Sequence, residues 1–343
     1  VGNRYDEEYE FRLAYDYEVP KIMEFIKKYW GNPKHILATN ESFFRYEYCP
    51  FARPNIYLAI NKANGEIAAM HCMYFYSKEY VRGQTDMATG MLLANPTVRV
   101  PFIGIELHKR VLLDLKPRSY IAPGIDMKTS APLIKRFLKH KVERMRHFYI
   151  AGNDTGKISR IVKKVHSNAK KNDTQLDLVL FNTADEMYKQ FCDERFKERR
   201  PYKDRWYVER RYFNHPVYKY YMYGIADSTV FVCKEVKRNK AKALRILDIL
   251  GDPSAIKYVG DALEKLINDN EYEYIDLYEQ KMNDEDLLAA GFVERLEDDV
   301  NIIPNYFEPF VQENKEIWVN RRDDETFCFK ADGDQDRPSI INN

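Results

Sequence analysis

The chain lacks an apolar run long enough to cross a bilayer, and no signal-peptide pattern stands at its first residues. A cytoplasmic protein with no membrane partner is the resulting expectation. Cysteine is scarce and scattered: Cys49, Cys72, Cys192, Cys233 and Cys328 form no C-x-x-C, and five is an odd number. That excludes a disulfide framework, and the adjacent His71-Cys72 pair offers too few ligands for zinc, so no metal is expected. Net charge is almost absent, with 54 basic against 53 acidic side chains, which argues against a dedicated nucleic-acid binder. Aromatic residues are abundant instead: 26 Tyr and 19 Phe favour strands and clefts lined by rings. With 343 residues, two domains of ordinary size fit.

The chain is organised around residues 86–115. Met87 to Ala94 carries no charge on either face, the pattern of a central strand covered on both sides, and Asn95-Pro96 ends it. Beyond Gly104, Leu107, Val111, Leu112 and Leu115 recur at helical spacing, while His108, Lys109 and Arg110 are expected to face away. A helix opening at such a turn aims unpaired N–H groups and its positive dipole end outward, and Arg99 adds a fixed cation. This is a place for a pyrophosphate.

The stretch resembles the acyl-CoA motif of the GNAT superfamily of N-acetyltransferases, a strand followed by Arg/Gln-x-x-Gly-x-Gly/Ala and a helix. Arg99 takes the Arg/Gln place and Gly104 the final Gly/Ala place. Phe102 falls where the first glycine belongs, and a side chain there is expected to obstruct the backbone's approach to phosphates. The resemblance implies acetyl-CoA as acyl donor and co-substrate, held by Leu93, Ala94, Arg99, Phe102, Ile103, Gly104 and Ile105.

The flanking sequence keeps the order of that superfamily over about residues 8 to 152. Glu10 to Tyr15 reads as a strand, and Pro20 to Gly31 bounds an amphipathic helix. Tyr57–Asn61 and Ile67–Tyr76 read as strands joined by an Asn-Gly turn, Ser119–Ile125 as a strand interrupted at Pro123-Gly124, Ser130–Leu138 as a helix, and Val142–Ala151 as closing strands. Residues 153–172 read as a basic helical linker with Ile158, Ile161, Val162 and Val165 as its apolar stripe.

Residues 173–343 repeat the pattern. Leu176–Phe181 reads as a strand, Met187, Tyr188 and Phe191 mark a helix face, Thr229–Val236 and Ala243–Leu250 form a hairpin, and Gly260, Leu263 and Leu266 echo Gly104, Leu107 and Val111. The Arg/Gln-x-x-Gly-x-Gly/Ala motif is missing, so this half is expected to have lost its own coenzyme site. The fold class is then α/β (α+β): two GNAT-like domains, each a mixed, mostly antiparallel sheet flanked by helices. Asp332, Asp334 and Asp336 alternate as in a calcium loop, but the glycine falls too early, and the tail reads as surface.

Moving an acyl group from thioester to amine needs a base for the amine, donors for the oxyanion and a proton for the departing thiolate. In the superfamily the organising strand and the next one splay, and pantetheine lies in the gap. By that analogy Asp86, His71 and Asp126 are the candidate bases, each with an ordinary alternative: a strand-end turn residue, a core histidine and a helix-approach cap. Lys135 stands where the superfamily often has its tyrosine acid, which leaves Tyr120 or a water. The stretch 198–223 interleaves Arg210 and Arg211 with Trp206, Tyr212 and further rings. Rings stack on bases and arginine forks pair with phosphates, a pattern that suits a nucleotide-linked amino sugar in a cleft between the halves. The reading is an acyl-CoA-dependent N-acyltransferase acting on a small-molecule amine. A Fem-like aminoacyl-tRNA-dependent transferase and a non-catalytic GNAT-like binding protein are the alternatives.

Overall fold

The least polar runs of the first half become its most buried strands. Ile67–Phe75 and Met87–Ala94 are covered on both faces over most of their length, as charge-free sequence requires. The computed structural model describes residues 4–225, 227–297 and 299–340. Along the chain the elements are β1 (Tyr9–Leu13), α1 (Val19–Tyr29), α2 (Glu41–Tyr48), β2 (Ile56–Asn61), β3 (Ile67–Phe75), β4 (Met87–Ala94), α3 (Ile103–Leu115), β5 (Tyr120–Pro123), β6 (Lys141–Arg144) and β7 (Arg146–Ala151). They continue with β8 (Val179–Phe181), α4 (Ala184–Gln190), β9 (Tyr221–Ile225), β10 (Thr229–Arg238), β11 (Ala241–Gly251), α5 (Gly260–Asn270), β12 (Tyr272–Gln280), β13 (Val293–Arg295), β14 (Trp318–Arg321) and β15 (Cys328–Phe329).

Two compact units result. One comprises Val1–Val142, Asn320–Asp323 and Gly333–Asn343, the other Glu143–Val319 and Asp324–Asp332. The first sheet runs β1-β2-β3-β4-β5-β14-β6, the second β13-β7-β12-β11-β10-β9-β8 with β15 on β12. Each sheet sets a parallel pair, β4/β5 in the first and β11/β12 in the second, beside antiparallel ones. In the first unit α3 lays Ile103, Leu107 and Val111 on Tyr57, Met73 and Met87. In the second, α5 lays Leu263 and Ile267 on Ile246, Ile275 and Leu277.

Three expectations fail. The closing strands expected at 142–151 do not stay together, because β7 pairs with β12 and β13 in the second sheet. The basic helical linker at 153–172 is irregular chain rather than a helix. Its N–H groups have a better acceptor than helix carbonyls: the buried Glu273 carboxylate takes bonds from Gly156, Lys157, Ile158 and Ser159, at 2.8–3.1 Å. Asn301 then accepts from Val162 and Lys163. Third, the acidic tail is not surface: Asp332 and Asp336 are buried.

Candidate active site

Two residues of ladder join β4 to β5, Met87↔Tyr120 and Ala88↔Ile121. Pro123 has no N–H to continue it, so β4 runs on to Ala94 without its neighbour. A register shift between His71 and Met73 bends β3 against β4 at the same level. The pair therefore parts toward the end of β4 that meets α3, where Gly104 has Ala94 Cβ as its nearest neighbour, 3.6 Å from the place a Cβ would occupy.

The start of α3 is open. No side chain caps it, so the N–H groups of its first turn point outward with the positive end of the dipole. Phe102 at its N-cap has φ 60° and ψ 23°, the left-handed conformation for which the motif uses glycine. The ring does not lie over the turn's core. It is half-exposed and packs on Phe137 at 5.2 Å, with the cations of Lys109 and Arg136 over the Phe137 ring. Arg99 is exposed and has no hydrogen bond or ion pair among the described residues. Leu93, Ala94, Arg99, Phe102, Ile103, Gly104 and Ile105 are thus brought to one turn.

The candidate bases fare differently. The Asp86 carboxylate is buried and receives two bonds from the Arg118 guanidinium, with Nε at 3.0 Å. That ion pair fixes the start of β4 to the approach of β5. His71 is fully buried, with Nε2 2.8 Å from Thr89 Oγ1, and burial pushes its pKa down to about 3. Its ring stacks on His108 at 5.0 Å. His108 was expected to face away. It is buried because it lies four residues before Leu112 on the flank of the apolar stripe, and both its ring nitrogens lack partners among the described residues. Tyr120 is buried with its hydroxyl 2.8 Å from Thr89 Oγ1, and burial raises its pKa. Asp126 is exposed and caps the following turn, accepting from the N–H and hydroxyl of Thr129. His71 and Tyr120 meet at the Thr89 hydroxyl, while Asp86 is bound to Arg118 and Asp126 to Thr129.

Of the stacking candidates, Arg211 and Tyr212 are buried in the second unit. Arg211 donates to the Tyr220 hydroxyl, and Tyr212 donates to Asp248 at 2.5 Å. Trp206 and Arg210 remain half-exposed, with the guanidinium 5.8 Å from the ring. Among the described residues no group of three or more His, Cys, Asp or Glu could hold a metal, and no helix is long and apolar enough to cross a membrane.

Residues near the parting that the sequence did not single out are Arg118, Thr89, Glu47 and Arg337, and the tail was read there only as surface. Gly333 sits where the ladder stops: a Cβ on it would stand 2.9 Å from the Thr89 carbonyl oxygen and 2.8 Å from Pro123 Cγ. Arg337 in turn donates to Gly333 O at 2.7 Å and to the buried Glu47 carboxylate, and lies 3.7 Å over the Tyr74 ring. The only sequence signal for this was an Asp-Gly-Asp run too short of apolar residues to suggest burial.

A mixed sheet with a parallel pair that parts beside an uncapped helix N-terminus defines an α/β class. No protein-family model matches the chain, and no curated protein matches it in sequence. Among solved structures, it is similar to a GCN5-related N-acetyltransferase from Anabaena variabilis ATCC 29413, at 10% identity over 91% of this chain and 72% of that one, with TM-score 0.51. It is also similar to one from Kribbella flavida, at 13% identity over 91% and 71%, with TM-score 0.50. The chain has the fold of the GCN5-related N-acetyltransferases, built from two mixed sheets flanked by helices.

Proposed function

We propose that the protein is an acyl-CoA-dependent N-acyltransferase, with acetyl-CoA as donor and a small polar amine as acceptor. The observation that carries this reading is the open corner of the first unit, where β4 leaves β5 after two residue pairs beside the uncapped turn of α3. The stretch of β4 beyond its ladder with β5 suits the amides of pantetheine, and the first-turn N–H groups with Arg99 suit the pyrophosphate. Phe102 adopts the glycine conformation itself, and its ring turns to Phe137, which leaves those N–H groups facing outward.

The acceptor reading is narrower than the sequence suggested. With Arg211 and Tyr212 inside the fold, support for a nucleotide-linked amino sugar reduces to the Trp206–Arg210 stack. A small polar amine is therefore the acceptor class we carry forward. Thermal unfolding with and without acetyl-CoA tests the donor. At a concentration about a hundred times its dissociation constant, a ligand of the folded state adds about 2.7 kcal/mol. Acetyl-CoA should raise the melting temperature accordingly, and the absence of any rise at saturating millimolar coenzyme would overturn the proposal.

A further inference from the structure

The apolar core of the second unit is left uncovered at one place. Ile267 of α5 and Ile150 of β7 belong to that core. With Leu288 and Gly291 they floor a cavity of about 260 Å³. The roof is the irregular segment 164–171, which contributes Lys164, His166, Ser167 and Lys171. None of the larger apolar side chains around it reaches the floor. Ile158 and Ile161 join a separate cluster with Tyr149 and Tyr274, Val162 is 69% exposed, and Val165 is 39% exposed.

The roof is pinned above the floor instead of collapsing onto it. Asn301 Oδ1 accepts from Val162 N and Lys163 N, at 2.9 and 3.0 Å. Ser167 Oγ donates to the Leu288 carbonyl at 2.7 Å. Lys171 Nζ reaches Asp261 and Glu264 on α5, at 2.8 and 3.0 Å. A polar segment fixed in this way over apolar side chains makes a preformed pocket, and its volume lies just under the range of about 300–1,000 Å³ for drug-sized ligands. A body of one ring fits it.

The rim sets the sign of the charge. Glu264 is the one carboxylate lining the cavity, and Lys171 already neutralises it. Lys164 has only a 3.3 Å bond to Asn153 Oδ1, and His166 makes no hydrogen bond or ion pair among the described residues.

We propose that this cavity is a second ligand site, for a small organic carboxylate. The apolar body of the ligand covers Ile150, Ile267 and Leu288, area that the chain leaves to water. Its carboxylate takes charge-assisted hydrogen bonds from Lys164 and His166. Every lining residue lies in the second unit, so the site is independent of the acyl-CoA reading.

The test uses the full chain, with its Ile and Leu methyl groups labelled for NMR, and three probes. Phenylacetate carries a ring and an anion, phenethylamine the same ring with a cation, and acetate the anion alone. Phenylacetate should move the methyl signals of Ile150, Ile267 and Leu288 and saturate, with a dissociation constant of about 0.1–10 mM for so few atoms. Each of the other two probes should bind at least about tenfold more weakly, one for want of the anion and one for want of the ring. Lys164→Ala, at an exposed position, should weaken phenylacetate by about 3–10-fold and leave the melting temperature unchanged. Ala169→Phe, which sets a ring in the cavity from its roof, should abolish the shifts. The proposal is overturned if phenylacetate leaves those three residues unmoved, or if either other probe matches it. It is overturned equally if K164A or A169F binds phenylacetate as the unmodified chain does.

Discussion

Each unit contains a parallel strand pair whose strands are connected through a helix, and the two pairs are finished differently. In the second unit β11 and β12 pair at Lys242↔Tyr272 and again from Leu244↔Ile275 to Ile246↔Leu277. Past that point β15 bonds to β12 at Glu279 and Gln280, and Ala331 N donates to Leu247 O at 2.9 Å. The backbone groups that a parting strand would expose are taken by the protein itself. The helix is closed too: Asp261 N donates to the Gln175 side chain, and a Cβ on Gly260 would stand 3.2 Å from Ala290 O. In the first unit the helix turn is uncapped, and Arg99 before it has no hydrogen bond or ion pair among the described residues. One framework therefore ends in two ways: backbone bonds from β15 and Ala331 seal the pair in the second copy, and in the first Gly333 stands between Thr89 and Pro123 while the helix start stays uncapped. The difference lies in what fills the end of a single parallel pair.

The strongest way to break that contrast is to unfasten the closed copy. Lys203 is buried between Asp248 and Asp332 at the segment that seals β11 and β12. Removing one partner of a buried ion pair leaves uncompensated charge, so Lys203→Ala should destabilise the second unit by about 3–5 kcal/mol in denaturant unfolding. If the closed copy is only scaffold, acetyl-CoA should still bind the folded fraction with unchanged affinity.

Next in size is the anion contact itself. Arg99→Ala should weaken acetyl-CoA binding by about 10–100-fold, the range of a lost hydrogen bond to a charged group, measured by calorimetry. Lys257, just before α5 in the second unit, is already paired with Asp286 at 3.0 Å. Lys257→Ala should leave acetyl-CoA binding unchanged, and equal losses in the two variants would erase the distinction between open and closed copies.

Acid should also separate the units. In the first, burial lowers the pKa of His71 to about 3 and holds that of His108 well below its ordinary value of 6.5. Between those values the unfolded chain binds protons that the folded one refuses, so stability falls as pH drops below 6.5 and rises again with pH. In the second unit burial likewise lowers His147 to about 4, despite its bond to Asp276. There burial also raises Glu279 to about 7, against the pull of Arg146. A carboxyl that keeps its proton in the folded state contributes stability that is lost as pH rises from 4.5 to 7, the opposite slope to His147. From pH 7 to 5, hydrogen exchange at β3 and α3 should therefore accelerate relative to β11 and β12. Uniform acceleration would show that the buried histidines do not set the acid response.

How far this was legible in sequence follows the range of the forces involved. The charge-free runs at Met87–Ala94 and Ile67–Phe75 and the stripe of α3 are local patterns, and each became the element its period demands. The corner of Arg99 and Gly104 was visible for the same reason, since turn, cation and helix start are contiguous. What failed was non-local. Residues 153–172 lost their helix to Glu273, more than a hundred positions away. His71 and Asp86 have the chemistry of bases, but their partners His108, Thr89 and Arg118 are assembled only by the sheet. The tail read as surface because three aspartates in five residues are rarely buried, and the buried Lys203 that pairs with Asp332 and the Arg337 that pairs with Glu47 lie far from them or outside any apolar pattern in sequence.

The smallest expected effect is also the cleanest comparison, because the same substitution falls at the same place in each copy. Gly104 and Gly260 both stand in the first turn of their helices, and neither has a positive φ, so alanine meets no backbone strain at either. At Gly104 the added methyl would find Ala94 Cβ at 3.6 Å, an ordinary contact, and alanine also gains helix propensity. Gly104→Ala should change stability by less than about 1 kcal/mol, in the stabilising direction, and should leave acetyl-CoA binding intact because the N–H still points outward. At Gly260 the methyl would press on the Ala290 backbone, at 3.2 Å from its oxygen and 3.4 Å from its carbonyl carbon and Cα, with no flexible side chain to yield. Gly260→Ala should cost about 1–3 kcal/mol as overpacking. Opposite signs in paired denaturant curves are the signature of one helix start left open for a ligand and its counterpart packed shut. Two substitutions of the same sign would mean that the space at Gly104 is filled by something other than a coenzyme.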